Sequence, residues 1–65
     1  MKSKIKSYLS KDILNRIYLE KIDKNKLKLT IYPTFNGLPS YKIWEKINYI
    51  CKYLGYNLNN DIITK

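Results

Sequence analysis

The sequence predicts a small single α+β domain: a helix, a strand, a second helix and then one or two short strands, with the two helices on one face of a small sheet. Three observations lead there. Apolar residues recur at helical spacing from Ser10 to Ile22 and again from Tyr41 to Leu54. The stretch "KLKLTIY", Lys26 to Tyr32, alternates strictly between apolar and polar. Gly55 then separates the second helical run from two short apolar segments, "YNL" and "DIIT". Residues 1–9 are read as a basic lead-in, a helical segment that frays, and residues 10–65 as the domain.

In the first helical run Ser10 stands at the cap and Asp12 in the favourable first turn. Ile13, Leu14, Ile17, Tyr18 and Ile22 share one side, and Asp12, Arg16, Glu20 and Asp23 the other. Asp12–Arg16 and Arg16–Glu20 are then pairs four residues apart, which engage Arg16 with its own helix. "DKNK", Asp23 to Lys26, closes the run as a charged turn. In the strand, Leu27, Leu29 and Ile31 face a core, while Lys26, Lys28, Thr30 and Tyr32 face away.

Pro33 ends the ladder, having no N–H to donate. "TFNGLPS" follows as a loop, with Asn36-Gly37 as its turn signal and Pro39 cutting short any return arm of a hairpin. Ser40 caps the second helix, whose apolar face is Ile43, Trp44, Ile47, Ile50, Cys51 and Leu54, and Gly55 ends it. The two final strands are split by "NND". The expected core sets Leu27, Leu29 and Ile31 against Ile43, Ile47, Ile50 and Leu54, in a βαβ-like unit whose crossover is right-handed if the strands are parallel. With so few strands, the one at 26–32 keeps an open edge, which a second copy or a partner protein would close.

The segment from Ile47 to Lys65 also resembles the opening of a helix-turn-helix. Cys51 and Gly55 have the spacing of its small residue and turn glycine, and Ile50 and Leu54 supply the flanking apolars. The pattern then fails, because Asp61 occupies the position where the two helices should touch and Ile62 comes one residue late. A recognition helix must also cross a major groove, and six residues after Asn59 are too few. A helix followed by a strand fits better.

Composition bounds the chemistry. A chain of 65 residues buries only about 60% of the surface its unfolded form exposes, so its stability is a few kcal/mol at most. Cys51 is the only cysteine, which excludes an internal disulfide and suits a reducing compartment. Lys2, Lys4 and Lys6 precede no apolar stretch of signal-peptide type, and no run approaches a membrane span, so a cytoplasmic or organelle-interior protein is expected. There is no histidine, the carboxylates form no pair, and Gly37 and Gly55 make no phosphate-binding loop. Cys51 falls on the apolar face of its helix and reads as core. No enzyme, metal or cofactor is expected.

The net charge is +8, from 13 basic and 5 acidic residues. Residues 1–33 hold nine basic and three acidic residues, a net of +6. Such a surplus attracts polyanions. A neutral explanation stands beside it: the basic residues are lysine apart from Arg16, and Lys, Ile, Asn and Tyr are what an AT-rich genome favours by codon usage. On the functional reading, Lys26, Lys28 and Tyr32 share the strand's solvent face, and Lys42, Lys46, Tyr49 and Tyr53 share a helix stripe. Lysine neutralises phosphate and an exposed tyrosine offers a ring to an unpaired base. The scarcity of arginine argues against reading guanine. The expectation is a sequence-tolerant nucleic-acid-binding protein, favouring RNA or single strands, of the kind found as a ribonucleoprotein subunit.

The competing expectation is a protein-interaction module, an assembly subunit or an inhibitor encoded by a mobile element. It would use the strand edge and the aromatic surface, since seven tyrosines and Trp44 suit an interface. Binding to a lipid surface ranks last, because neither helix pairs a lysine-rich face with a bulky insertion face.

Overall fold

The computed structural model describes residues 1–33 and 37–65. It is an α+β domain with helices α1 (Lys2–Lys6), α2 (Lys11–Leu14) and α3 (Ser40–Leu54) and strands β1 (Ile17–Asp23), β2 (Lys26–Ile31), β3 (Asn57–Asn59) and β4 (Ile62–Thr64). Among the described residues the sheet has four strands in the order β1-β2-β4-β3, all antiparallel. The hairpin signal at Phe35 and Asn36 lies outside the described residues; Gly37 to Pro39 are irregular, in keeping with a loop.

The first helical run is corrected by the structure. Helix α2 stops after Leu14, and Ile17 to Asp23 form a strand instead. Ile17, Leu19 and the polar residues between them satisfy a period of two as well as Ile13, Ile17 and Tyr18 satisfy a helical one. A strand at 26–31 standing alone would leave its backbone unpaired, and the neighbouring segment completes it as a hairpin. Lys24 and Asn25 make the turn, so "DKNK" is a turn, but between strands. Tyr18 and Glu20 now point outward while Ile17 and Leu19 are buried. The four-residue spacings Asp12–Arg16 and Arg16–Glu20 lose their helical geometry with the helix.

A register shift between Lys21 and Asp23 leaves Ile22 half exposed on the free edge of β1. Such a bulge twists an edge away from unwanted pairing.

The open-edge assignment is corrected for the first part of the strand only. Strand β2 is interior, paired to β1 along its length and to β4 at Lys26↔Thr64, Leu27↔Ile63 and Lys28↔Ile62. Among the described residues the outer strands are β1 and β3, and the end of β2 at Ile31 extends past β4 with its β4-facing side unpaired. Strands β2 and β3 are both antiparallel to β4 and so run parallel to each other, which makes β2, α3 and β3 the expected βαβ-like unit with β4 inserted between its strands, while the last two strands form a second antiparallel hairpin. Asn60 carries that turn with φ 56°, a left-handed conformation asparagine tolerates. A helix-turn-helix is thereby ruled out.

Helix α3 starts differently from expectation. Pro39, extended, occupies the cap position, and Ser40 is the first helical residue, making no side-chain capping bond. Its end is as expected. Gly55 has φ 81°, the Gly55 N–H donates to the Lys52 carbonyl (3.2 Å), and the Tyr56 N–H donates to the Cys51 carbonyl (2.7 Å). These two bonds define a Schellman cap. A Cβ at Gly55 would meet open space, so Gly55→Ala suffers only the left-handed backbone penalty. The expected loss is about 1–2 kcal/mol, read from a urea melt. An unchanged midpoint would contradict the cap's importance.

One core joins all parts. Ile43, Ile47, Ile50 and Cys51 of α3 pack over Leu19, Leu27, Leu29 and Ile63 of the sheet, with Ile31 and Leu54 half-buried at its margin. The basic lead-in contributes as well: Ile5 is fully enclosed and Leu9 is buried. The helices cover one face of the sheet, and among the described residues nothing covers the other.

Candidate nucleic-acid interface

Register determines which side chains share the open face. Lys28 lies opposite Glu20 on β1 and Ile62 on β4, and Ile62 lies opposite Asn59 on β3. One row across the sheet therefore reads Glu20, Lys28, Ile62, Asn59. The row beside it reads Asp23, Lys26, Thr64, Asn57, and Tyr18 lies opposite Thr30 in a third. Directly opposed residues have Cβ atoms about 5 Å apart, so each row is a contiguous strip. The two acids sit on β1, and across the face from them β3 presents Asn57 and Asn59. Each of the first two rows thus sets one acid of β1 against one lysine of β2, with uncharged residues on β4 and β3.

Lys26, Lys28 and Tyr32 are exposed, as their parity predicts. Tyr32 follows the end of β2, and its backbone is fastened rather than free. The Arg16 carbonyl accepts from the Tyr32 N–H at 2.7 Å, and Arg16 Nε donates back to the Tyr32 carbonyl at 2.8 Å. Arg16 also donates to the Leu38 carbonyl (2.6 Å) and to Ser40 Oγ (3.4 Å). One planar guanidinium thus ties the end of the hairpin to the segment entering α3. Arg16→Ala removes these charged donors, at an expected cost of about 1–2 kcal/mol. Lysine cannot reproduce the fork, so Arg16→Lys should rescue little. Equal urea midpoints for wild type and Arg16→Ala would overturn this role.

The second group expected from the sequence lies elsewhere. Lys42, Lys46, Tyr49 and Tyr53 are exposed along one flank of α3, on the helix layer. Tyr53 meets Tyr8 edge to face, with ring centroids 5.8 Å apart and planes at 70°. Tyr8, Lys46, Tyr49, Ile50 and Tyr53 line a shallow depression there. Strand pairing does not join this flank to the sheet's open face. The seven candidate residues therefore form two surfaces.

Sequence reasoning missed Tyr18, Asn57 and Asn59. Tyr18 was hidden by the helical reading of its segment, although the Ile17/Leu19 alternation marks it as outward-facing. The two asparagines join the face only through the pairing of β3 with β4, a non-local fact.

Cys51 is fully enclosed, and burial pushes its thiol above the ordinary cysteine range, which suits core rather than a nucleophile. Among the described residues, no three metal-ligating side chains gather and no helix is long and apolar enough to cross a membrane. No protein-family model, curated protein or solved structure matches the chain.

Proposed function

We propose that the chain is a nucleic-acid-binding protein whose contact surface is the open face of its sheet. The observation that carries the reading is the uncovered face itself. Its interior strand points Lys26 and Lys28 outward, between Asp23 and Glu20 of β1 and Thr64 and Ile62 of β4, with Asn57 and Asn59 one strand further and Tyr18 and Tyr32 toward its other end. A surface of this kind combines phosphate-neutralising charge, amide groups for base edges and rings for stacking. Stacking contributes about 1–3 kcal/mol per base. The scarcity of arginine favours sequence-tolerant contact with RNA or another single strand, as in a ribonucleoprotein subunit. The flank at Lys42, Lys46, Tyr49 and Tyr53 is a secondary surface in this account.

Fluorescence anisotropy with labelled single-stranded RNA, single-stranded DNA and duplex DNA, at low and near-physiological salt, tests the reading. Binding that survives physiological salt and favours the single strands supports it. A duplex preference would keep the surface and revise the ligand. Binding to all three that vanishes with salt would refute it.

A further inference from the structure

A different part of the molecule presents chemistry suited to a peptide. Strand β4 is shorter than β2, and its pairing stops at Lys28↔Ile62. One more bond follows, from the Leu29 N–H to the Asp61 carbonyl (2.7 Å), and the chain then turns away through Asn60. Backbone groups alternate sides along a strand, so Ile31 directs its N–H and carbonyl the same way as Leu29. The Leu29 carbonyl and both polar backbone groups of Ile31 thus face the side that β4 has vacated. Among the described residues they have no hydrogen-bond partner there.

A cleft lies at this place, lined by Leu29, Ile31, Trp44, Asn60 and Asp61. Trp44 forms its wall, 40% exposed, held by a bond from its Nε1 to the Asn60 carbonyl (3.5 Å). Its charge is opposite to that of the chain. In a protein of net charge +8, the one ionisable lining residue is Asp61, a carboxylate. The cleft therefore offers a charged partner for a cation and none for an anion.

We propose that this cleft captures an extended, basic segment of a partner protein as a short added strand continuing the line of β4. The segment's backbone pairs with the Leu29 carbonyl and with Ile31, an apolar side chain packs against Trp44 and Leu29, and a lysine or arginine meets Asp61. Open strand backbone supplies affinity in such docking, and the flanking side chains supply selectivity. The site shares no residue with the open sheet face and stands whether or not that face binds nucleic acid.

The test is to select binders from a display library of random short peptides against the whole chain and to synthesise the best of them. Two probes report on the cleft: the emission of Trp44, the protein's single tryptophan, and hydrogen exchange at the Ile31 amide. The expected peptides alternate apolar and basic residues, blue-shift Trp44 and slow Ile31 exchange. Methylating the peptide amides on the docking edge should weaken binding about tenfold, as loss of backbone pairing requires. Asp61→Asn should weaken it about fivefold, the scale of an exposed charge pair, while Lys26→Gln with Lys28→Gln leaves it unchanged. The proposal is overturned if no peptide is selected, if the selected peptides leave Trp44 and Ile31 unmoved, or if amide methylation has no effect.

Discussion

Ile47→Asp is expected to unfold the domain. Ile47 is fully enclosed between α3 and the sheet, among apolar side chains only. Aspartate there loses the isoleucine's packing, about 2–5 kcal/mol for truncation of such a side chain. It also places a carboxyl group where no donor waits, adding several kcal/mol whether the group is ionised or protonated. A domain of this size has only a few kcal/mol of stability to lose. Ile47→Val, by contrast, should cost only about 1 kcal/mol and keep a cooperative melt. Circular dichroism decides the matter. A native spectrum and melt for Ile47→Asp would contradict the packing of α3 on the sheet.

The largest effect on function is expected from the paired change Lys26→Gln with Lys28→Gln. Both lysines are exposed on the open face, so the fold should survive. Affinity for single-stranded RNA should fall roughly tenfold, or about 1.4 kcal/mol. The dependence of log affinity on log salt should flatten by about 1.4, since each phosphate that a lysine neutralises on a single strand adds about 0.7 to the slope. The matched pair Lys42→Gln with Lys46→Gln removes the same charge from the helix flank and should do less. That comparison separates a located site from the general field of a +8 protein. Equal losses in the two pairs would mean that the charge acts diffusely, as codon-driven lysine content would.

Much of the fold can be read from the chain, and the failures share a cause. The alternation of "KLKLTI", the apolar stripe of α3 and the left-handed role of Gly55 are local signals, and each appears in the structure where the residues place it. The two short strands after Gly55 were also legible, since their turn residues separate them plainly. The segment from Ile17 to Asp23 was not. Its isoleucines and tyrosine fit both periods, and its hairpin turn is Lys24-Asn25, without the glycine that usually signals one. What decides it is a partner, the unpaired side of β2, which lies outside any local window.

The candidate site divides along the same line. The outward parity of Lys26, Lys28 and Tyr32 follows from the strand alone. That Lys28 shares a row with Asn59, and that Asp23 and Glu20 temper the charge at one side, follows from strand order and register. The placement of Arg16 is of this second kind. Read as a helical residue it faces Asp12 and Glu20, whereas in the fold it reaches Tyr32, Leu38 and Ser40.

The most direct measurement is an amide chemical-shift titration of the labelled protein with single-stranded RNA at near-physiological salt. Saturable shifts centred on Tyr18, Lys26, Lys28, Thr30, Asn57 and Asn59 are the expected result, with the α3 flank largely unmoved. Shifts centred on Lys42, Lys46, Tyr49 and Tyr53, or none at all, would contradict the assignment of the open sheet face as the binding surface.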